Sequence, residues 1–174
     1  LNLIRLGTSG ALQKDIPVDT LVMTSYALGF DGLAHFYKNT ECIDQEITES
    51  FKKHSNWLSS LPDPYIIRSS NNLLNKFNHL PHGITSTASG FYAPQGRELR
   101  LKCAIPNMHK ILNTFKYKNQ QITNFEMESS ALYFLGQSLG HNTLTICAII
   151  GNRINKTQSK NYKATINKLI IEVL

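Results

Sequence analysis

Two carboxylates, Glu126 and Glu128, stand two residues apart in Asn124-Phe125-Glu126-Met127-Glu128-Ser129-Ser130-Ala131. Gln121 to Phe125 reads as a β-like run that turns directly into a helix ending at Gly140. Helical spacing puts Glu128, Ala131, Leu132, Leu135 and Leu139 on one stripe, so the sequence predicts a buried apolar face with Glu128 at the helix mouth. An ionised carboxylate accepts two hydrogen bonds at once, and neighbouring hydroxyls of a sugar present two matching O–H donors. The plain structural alternative is a pair of acids complementing the dipole of a first helical turn.

Two other stretches hold side chains able to do chemistry. Leu3 to Leu6 reads as a strand running into Gly7-Thr8-Ser9-Gly10, and a Gly/Ser/Thr turn gathers backbone N–H groups and hydroxyls suited to an anion. Arg5, two residues before it, adds a guanidinium fork that fits phosphate. No Walker lysine or G-x-G-x-x-G accompanies it, so a simple turn is the other reading. In Ser89-Gly90-Phe91-Tyr92-Ala93-Pro94-Gln95-Gly96-Arg97 two aromatics offer a face to a planar ring. Gln95 there offers a donor and an acceptor, and Arg97 offers donors, toward the edge of a base. A surface turn with a buried Phe is the alternative.

These residues have to be positioned by ordered elements, and the pattern supplies them. Thr20 to Leu28 is strand-like, and Ile43, Ile47, Phe51, His54 and Leu58 recur at helical spacing up to Pro62 and Pro64. Tyr65 to Arg68 is a short strand, Ser70 caps a helix through Phe77, and Pro81-His82-Gly83 is a turn. Gly83 to Ala88 is a strand, Pro106 opens a helix through Phe115, and Tyr117 to Gln120 turns. Leu144 to Ile150 is an apolar run fit for a central strand covered on both sides, ending in Gly151-Asn152-Arg153. Ile166, Leu169, Ile170 and Val173 mark a closing helix. Strands alternating with helices predict one α/β domain over 1–174 with a central sheet.

At 174 residues the chain can bury roughly two-thirds of its unfolded surface. The chain opens on Leu1 with a strand already under way, so an upstream portion is expected. No run approaches the roughly 18 apolar residues of a membrane span, and no leader is visible, which predicts a cytoplasmic protein without membrane contact. Cys42, Cys103 and Cys147 are scattered and form no C-x-x-C pair, so neither a zinc site nor a disulfide framework is expected. The formal charge of +6 suits an anionic substrate. Its lysines are dispersed without interleaved aromatics, so no nucleic-acid partner is expected.

Taken together and in order, Arg5-Leu6-Gly7-Thr8-Ser9-Gly10, Gly90-Phe91-Tyr92-x-Pro94-Gln95-Gly96-Arg97, Asn124-Phe125-Glu126-Met127-Glu128 and Ile150-Gly151-Asn152-Arg153 resemble the nucleoside phosphorylases, and among them the uridine-type enzymes. The resemblance implies a mixed central β-sheet flanked by helices in three layers, missing its N-terminal part. It implies phosphorolysis of uridine to uracil and ribose 1-phosphate in pyrimidine salvage, with inorganic phosphate as co-substrate and no metal or organic cofactor. By the same resemblance Arg5 and Thr8 hold phosphate. Glu128, the Met127 N–H, Thr8 and, in a mixed supporting role, Glu126 hold the ribose. Phe91 packs on the base, and Gln95 and Arg97 hydrogen-bond it, so that Arg5, Glu128 and Arg97 are the catalytic set. Asn152-Arg153 resembles the uridine type, where purine-type relatives carry an aspartate. A homo-oligomer, a dimer or a trimer of dimers, is expected to complete each site from a neighbouring subunit. A purine phosphorylase, a nucleosidase on the same fold, or a non-catalytic nucleoside- or RNA-binding relative are the alternatives.

Overall fold

The computed structural model describes residues 1–38 and 40–174. It contains eight strands: β1 (Asn2–Ala11), β2 (Leu21–Gly29), β3 (Tyr65–Arg68), β4 (His82–Thr87), β5 (Lys116–Tyr117), β6 (Gln120–Glu126), β7 (Asn142–Asn152) and β8 (Thr157–Gln158). Five α-helices accompany them: α1 (Gln45–Ser55), α2 (Asn71–Lys76), α3 (Met108–Thr114), α4 (Ser129–Ser138) and α5 (Tyr162–Val173). Among the described residues no helix is long and apolar enough to cross a membrane.

The central sheet is mixed and closes on itself. β2 and β4, β4 and β6, and β1 and β7 pair in parallel, while β6–β1 and β7–β2 are antiparallel, so five strands form a ring. β3 extends β2, β5 forms a hairpin with β6, and β8 folds back on the end of β7. β7 is the strand that its apolar run predicts, because partners on both edges and layers on both faces shut water out from Thr143 to Ile149. Leu144, Ile146, Cys147, Ala148 and Ile149 are fully buried. α4 lies against β2 and β7, α5 against β7 and β1, and α3 against β6.

Three apolar clusters fill the space between ring and helices. One joins Phe51 of α1 and Leu112 of α3 to Ile84, Ile122 and Phe125; a second joins Leu73 and Leu169 to Leu144 and Ile146; a third joins Tyr133 and Phe134 of α4 to Tyr65 and Ile67. A buried polar chain crosses four strands of the ring. Thr24 Oγ1 and Thr85 Oγ1 lie 2.6 Å apart, Thr85 Oγ1 donates to Asn124 Oδ1 at 2.9 Å, and Asn124 Nδ2 donates to Ser9 Oγ at 2.8 Å. Thr123 Oγ1 donates to Asn124 Oδ1 as well, at 2.7 Å. Buried polar groups satisfied this fully fix strand positions, and Ser9 and Asn124 stand beside the residues of the site.

Several expectations shift. Gly7-Thr8-Ser9-Gly10 is no turn, because β1 continues to Ala11 and pairs in parallel with β7, Thr8 opposite Ala148, with a register shift between Ser9 and Gly10. Pairing along ten residues outweighs the turn preference of Gly, Ser and Thr. His82 and Gly83 begin β4 rather than forming a turn. Ser70 stands at the start of α2, but its Oγ accepts from the Thr143 N–H at 2.9 Å instead of capping the helix. α4 buries Ser129, Ser130, Tyr133, Phe134 and Gly136, while Ala131, Leu132 and Leu135 are half-buried and Leu139 is exposed. The buried face of α4 is thus rotated from the Leu stripe, because small residues let the helix sit close on the sheet.

Candidate active site

A cavity of about 960 Å³ opens at one end of the ring and is lined by Arg5, Thr8, Phe91, Gln95, Arg97, Glu126, Met127 and Glu128, together with residues of the β7–β8 turn and His109. These eight residues, which the sequence singles out for chemistry, therefore border one space, while Tyr92, the second aromatic of the loop after β4, is not part of its lining. They arrive from β1, from the loop after β4, from the end of β6 and from the start of α4.

At one end Arg5 is wrapped in carboxylates. Its Nη1 is 3.3 Å from Glu126 Oε2, and its Nη2 donates to Glu128 Oε2. Nη1 also points at Cys147 Sγ, 3.6 Å away. Gly7 makes this possible, because a Cβ there would stand 2.6 Å from Arg5 Cζ, inside the guanidinium. Side chains two apart on a strand share a face, so only glycine lets Arg5 lie along its own strand toward the acids. Burial penalises the Arg5 charge, yet Cys147, Glu126 and Glu128 outweigh it and hold its pKa above the ordinary value. Burial pushes the Cys147 thiol up to about 12, and Glu126 adds to the rise.

The two acids divide their work. Glu126 is buried, and its carboxylate accepts from Thr87 Oγ1 at 2.6 Å, from the Glu128 N–H at 3.0 Å and from the Ser129 N–H at 3.0 Å. It satisfies otherwise free N–H groups at the start of α4 and leaves little acceptor capacity for a ligand. Burial raises its pKa, against the pull of Thr87, Arg5 and these backbone donors. Of the mixed role expected for it, the structure displays the supporting part. The Glu128 side chain is 59% exposed and engages through Oε2 alone among the described residues, with Arg5 and with the Met127 N–H at 3.3 Å. Its second oxygen is open to the cavity.

The other end is built on a tight loop. The N–H groups of Gln95 and Arg97 both reach Tyr92 O at 2.9 Å, and Gly96 closes the turn at φ +69°. The Arg97 guanidinium lies 3.7 Å over the centroid of Phe91, which is half-exposed. Gln95 is buried, and Arg153 clasps it, donating from Nη1 to Gln95 O at 3.0 Å and from Nη2 to Gln95 Oε1. The amide oxygen is thereby engaged and the amide NH₂ left as the polar group to offer. Arg153 also lies 5.1 Å from the Phe125 ring centroid. Burial and the nearby charge of Arg97 lower its pKa to about 10.

Asn152 does not face this space with a free group. Its Nδ2 donates to Gln13 O at 2.7 Å and Ile16 O at 2.8 Å, and its Oδ1 accepts from the Ile154 and Asn155 N–H groups at 2.9 and 2.8 Å. It pins loop and turn together beneath the cavity. Among the cavity residues that escaped the sequence reading as chemical groups are Arg153, seen only as part of a strand-end pair, and His109, an isolated His at the start of α3 with no pattern to mark it; Lys156 and Tyr162 line the cavity as well. Among the described residues, no group of three His, Cys, Asp or Glu side chains could hold a metal ion.

Known proteins share sequence and fold with this chain. The uridine phosphorylase of Thermococcus kodakarensis is 28% identical over 160 residues, 90% of this chain and 50% of that protein. The uridine phosphorylase of Haemophilus influenzae is 24% identical over 158 residues, 86% of this chain and 53% of that protein. The chain thus spans about half the length of the curated relatives it matches. Among solved structures, a Trypanosoma brucei nucleoside phosphorylase described as showing uridine phosphorylase activity superposes with a TM-score of 0.87 at 24% identity, over 99% of this chain and 62% of that one. Isoform 2 of the Schistosoma mansoni uridine phosphorylase, in its apo form, gives a TM-score of 0.66 at 21% identity, over 99% and 56%. Both likenesses speak for the fold. The sequence profile of the Phosphorylase superfamily matches residues 1–171, and the chain belongs to that family.

Proposed function

We propose that this chain carries the nucleoside-binding part of a uridine phosphorylase, which transfers the ribosyl group of uridine to inorganic phosphate. The observation that carries the reading is the gathering of Arg5 and Thr8, Glu128 and Met127, and Phe91, Gln95 and Arg97 around one cavity. In the reaction, phosphate attacks C1′ as the glycosidic bond breaks, giving ribose 1-phosphate and uracil. The transition state has oxocarbenium character, so positive charge grows on the sugar while negative charge grows on the departing base.

Each group on the cavity wall has a part in that charge separation. Phosphate takes the place of Glu128 on the Arg5 fork, with the Thr8 hydroxyl beside it. The released Glu128 carboxylate accepts from the 2′- and 3′-hydroxyls and faces the cationic sugar. Phe91 and its stacked Arg97 cover the base, and the Gln95 amide NH₂ and the Arg97 N–H groups donate to its carbonyls. Preorganised donors of this kind at a developing anion contribute about 2.7–4 kcal/mol each. The chemistry is complete with phosphate as co-substrate and calls on no organic cofactor.

The test is a spectrophotometric assay on the protein in its full natural length, with uridine, thymidine, inosine and adenosine, with and without phosphate. Phosphate-dependent release of uracil with adenosine left intact is the expected outcome. Equal rates on inosine and uridine would move the assignment to purines, phosphate-independent release would indicate a nucleosidase, and binding without turnover would leave a nucleoside-binding protein.

A further inference from the structure

Arg97, Arg153 and His109 line the cavity together, and among the described residues neither arginine forms an ion pair with a carboxylate. His109 stands in the first turn of α3, and Gly96 lets it approach: a Cβ on Gly96 would be 3.5 Å from His109 Nε2 and 3.0 Å from Met108 Cβ. The imidazole is therefore set against the loop that carries Gln95 and Arg97. Two nitrogens at this wall are buried without a hydrogen-bond partner among the described residues, Arg153 Nε and His109 Nδ1. The first is always a donor, whereas the second is an acceptor only while the imidazole is neutral with its proton on Nε2. Buried donors and acceptors left unpaired are costly, and water in the cavity that both side chains line can bridge an unpaired donor to an unpaired acceptor.

We propose that His109 is a positioning residue of the base subsite: as a neutral imidazole it steadies Arg153, and through Arg153 the Gln95 amide, in the orientation that meets the base. This rests on the reading of the cavity as a pyrimidine nucleoside site. Protonated, His109 would become a third cation beside Arg97 from the base loop and Arg153 from the end of β7, and would push Arg153 off Gln95. Burial lowers the His109 pKa below its ordinary value, and Arg153 and Arg97 lower it further, while the Gly96 backbone works the other way. The neutral form therefore prevails at neutral pH, and base affinity falls as the pH drops through the His109 titration, below the ordinary histidine range.

The experiment is calorimetric titration of uracil, and separately of inorganic phosphate, into the full-length natural protein and its His109→Gln and His109→Lys variants, over roughly pH 5 to 8. Wild type should lose at least about tenfold in uracil affinity toward acid pH, a change equal to one pKa-unit's worth of coupling. His109→Gln, neutral at every pH and still an acceptor, should stay within about threefold of wild type at neutral pH and show no acid loss. His109→Lys should bind uracil at least about tenfold more weakly throughout, with phosphate affinity unchanged. An acid loss that survives in His109→Gln, or a His109→Lys protein that binds uracil like wild type, overturns the inference alone. Failure of the wild type to bind uracil at any pH removes the pyrimidine reading, and this inference with it.

Discussion

Glu128 has one oxygen tied to Arg5 and to the Met127 N–H and one oxygen open to the cavity, so its charge and its spare acceptor are separable by mutation. Glu128→Gln keeps an acceptor and removes the charge proposed to face the oxocarbenium, so the fold should survive while kcat and kcat/KM fall together by about a hundredfold. Steady-state kinetics with an unchanged kcat/KM would remove Glu128 from the ribose site. Gly7→Ala tests the Arg5 fork from beneath, since the new Cβ would occupy the place of the guanidinium. It should lower kcat/KM at least about tenfold with unaltered circular dichroism, and combining it with Arg5→Ala should add little, because both changes act through one group. Additive losses in the double variant would separate Gly7 from Arg5. At the other end, Arg97→Ala uncovers Phe91 and, on the proposed reading, takes donors from the base, so it should reduce kcat/KM for uridine by at least about tenfold, the equivalent of one ordinary hydrogen bond. An unaffected Arg97→Ala enzyme would place the base elsewhere.

Asn152 ties together elements that the sequence presents as separate, the loop after β1 and the turn after β7. Asn152→Asp keeps the acceptor for the turn and aims a carboxylate at two backbone carbonyls. It should cost about 2 kcal/mol or more and lower Tm by roughly 4–8 °C, with the deficit shrinking at acid pH as the buried carboxyl takes up a proton. Equal Tm values at neutral pH would show the Nδ2 bonds to be dispensable. This role was not legible in the sequence, where Asn152 stood out only by its neighbour Arg153. What was legible followed short-range rules: β7 from an apolar run of strand length, α5 from its helical spacing, and the cavity from three short motifs. What was missed depended on partners distant in the chain. β1 runs through Gly7-Thr8-Ser9-Gly10 because β7 lies beside it, and α4 turns its Ser/Tyr/Phe/Gly face inward because Thr145 hydroxyl contacts and close sheet packing outweigh the Leu stripe. The closure of the ring rests on the β2–β7 pairing, Val22 opposite Cys147, which no local pattern announces.

Across the molecule the charge is unevenly allotted, and on the proposed reading this separates phosphate from the nucleoside. The chain carries a formal +6, yet Arg5, the guanidinium proposed to hold phosphate, is already neutralised by Glu128 and held beside Glu126 as well. Whether or not Glu126 keeps its proton, Arg5 itself has no surplus positive charge with which to attract a divalent anion. Thr8 adds a neutral hydroxyl only. Arg97 and Arg153 at the other end have no carboxylate partner among the described residues, and the Gln95 amide is already fixed. The 174 residues should therefore bind uracil measurably while binding phosphate weakly, with a Kd of about 1 mM or higher. On the proposed reading, further positive charge for phosphate is expected from donors outside these residues, from further chain or from a second copy. Calorimetry on the 174-residue chain and on the longest natural form, each over a range of protein concentrations, distinguishes the sources. Phosphate affinity that rises with protein concentration points to a second copy, and affinity that rises only in the longer form points to further chain. Micromolar phosphate binding by the dilute 174-residue chain would overturn the charge argument, because Arg5 would then have to leave both carboxylates at almost no cost.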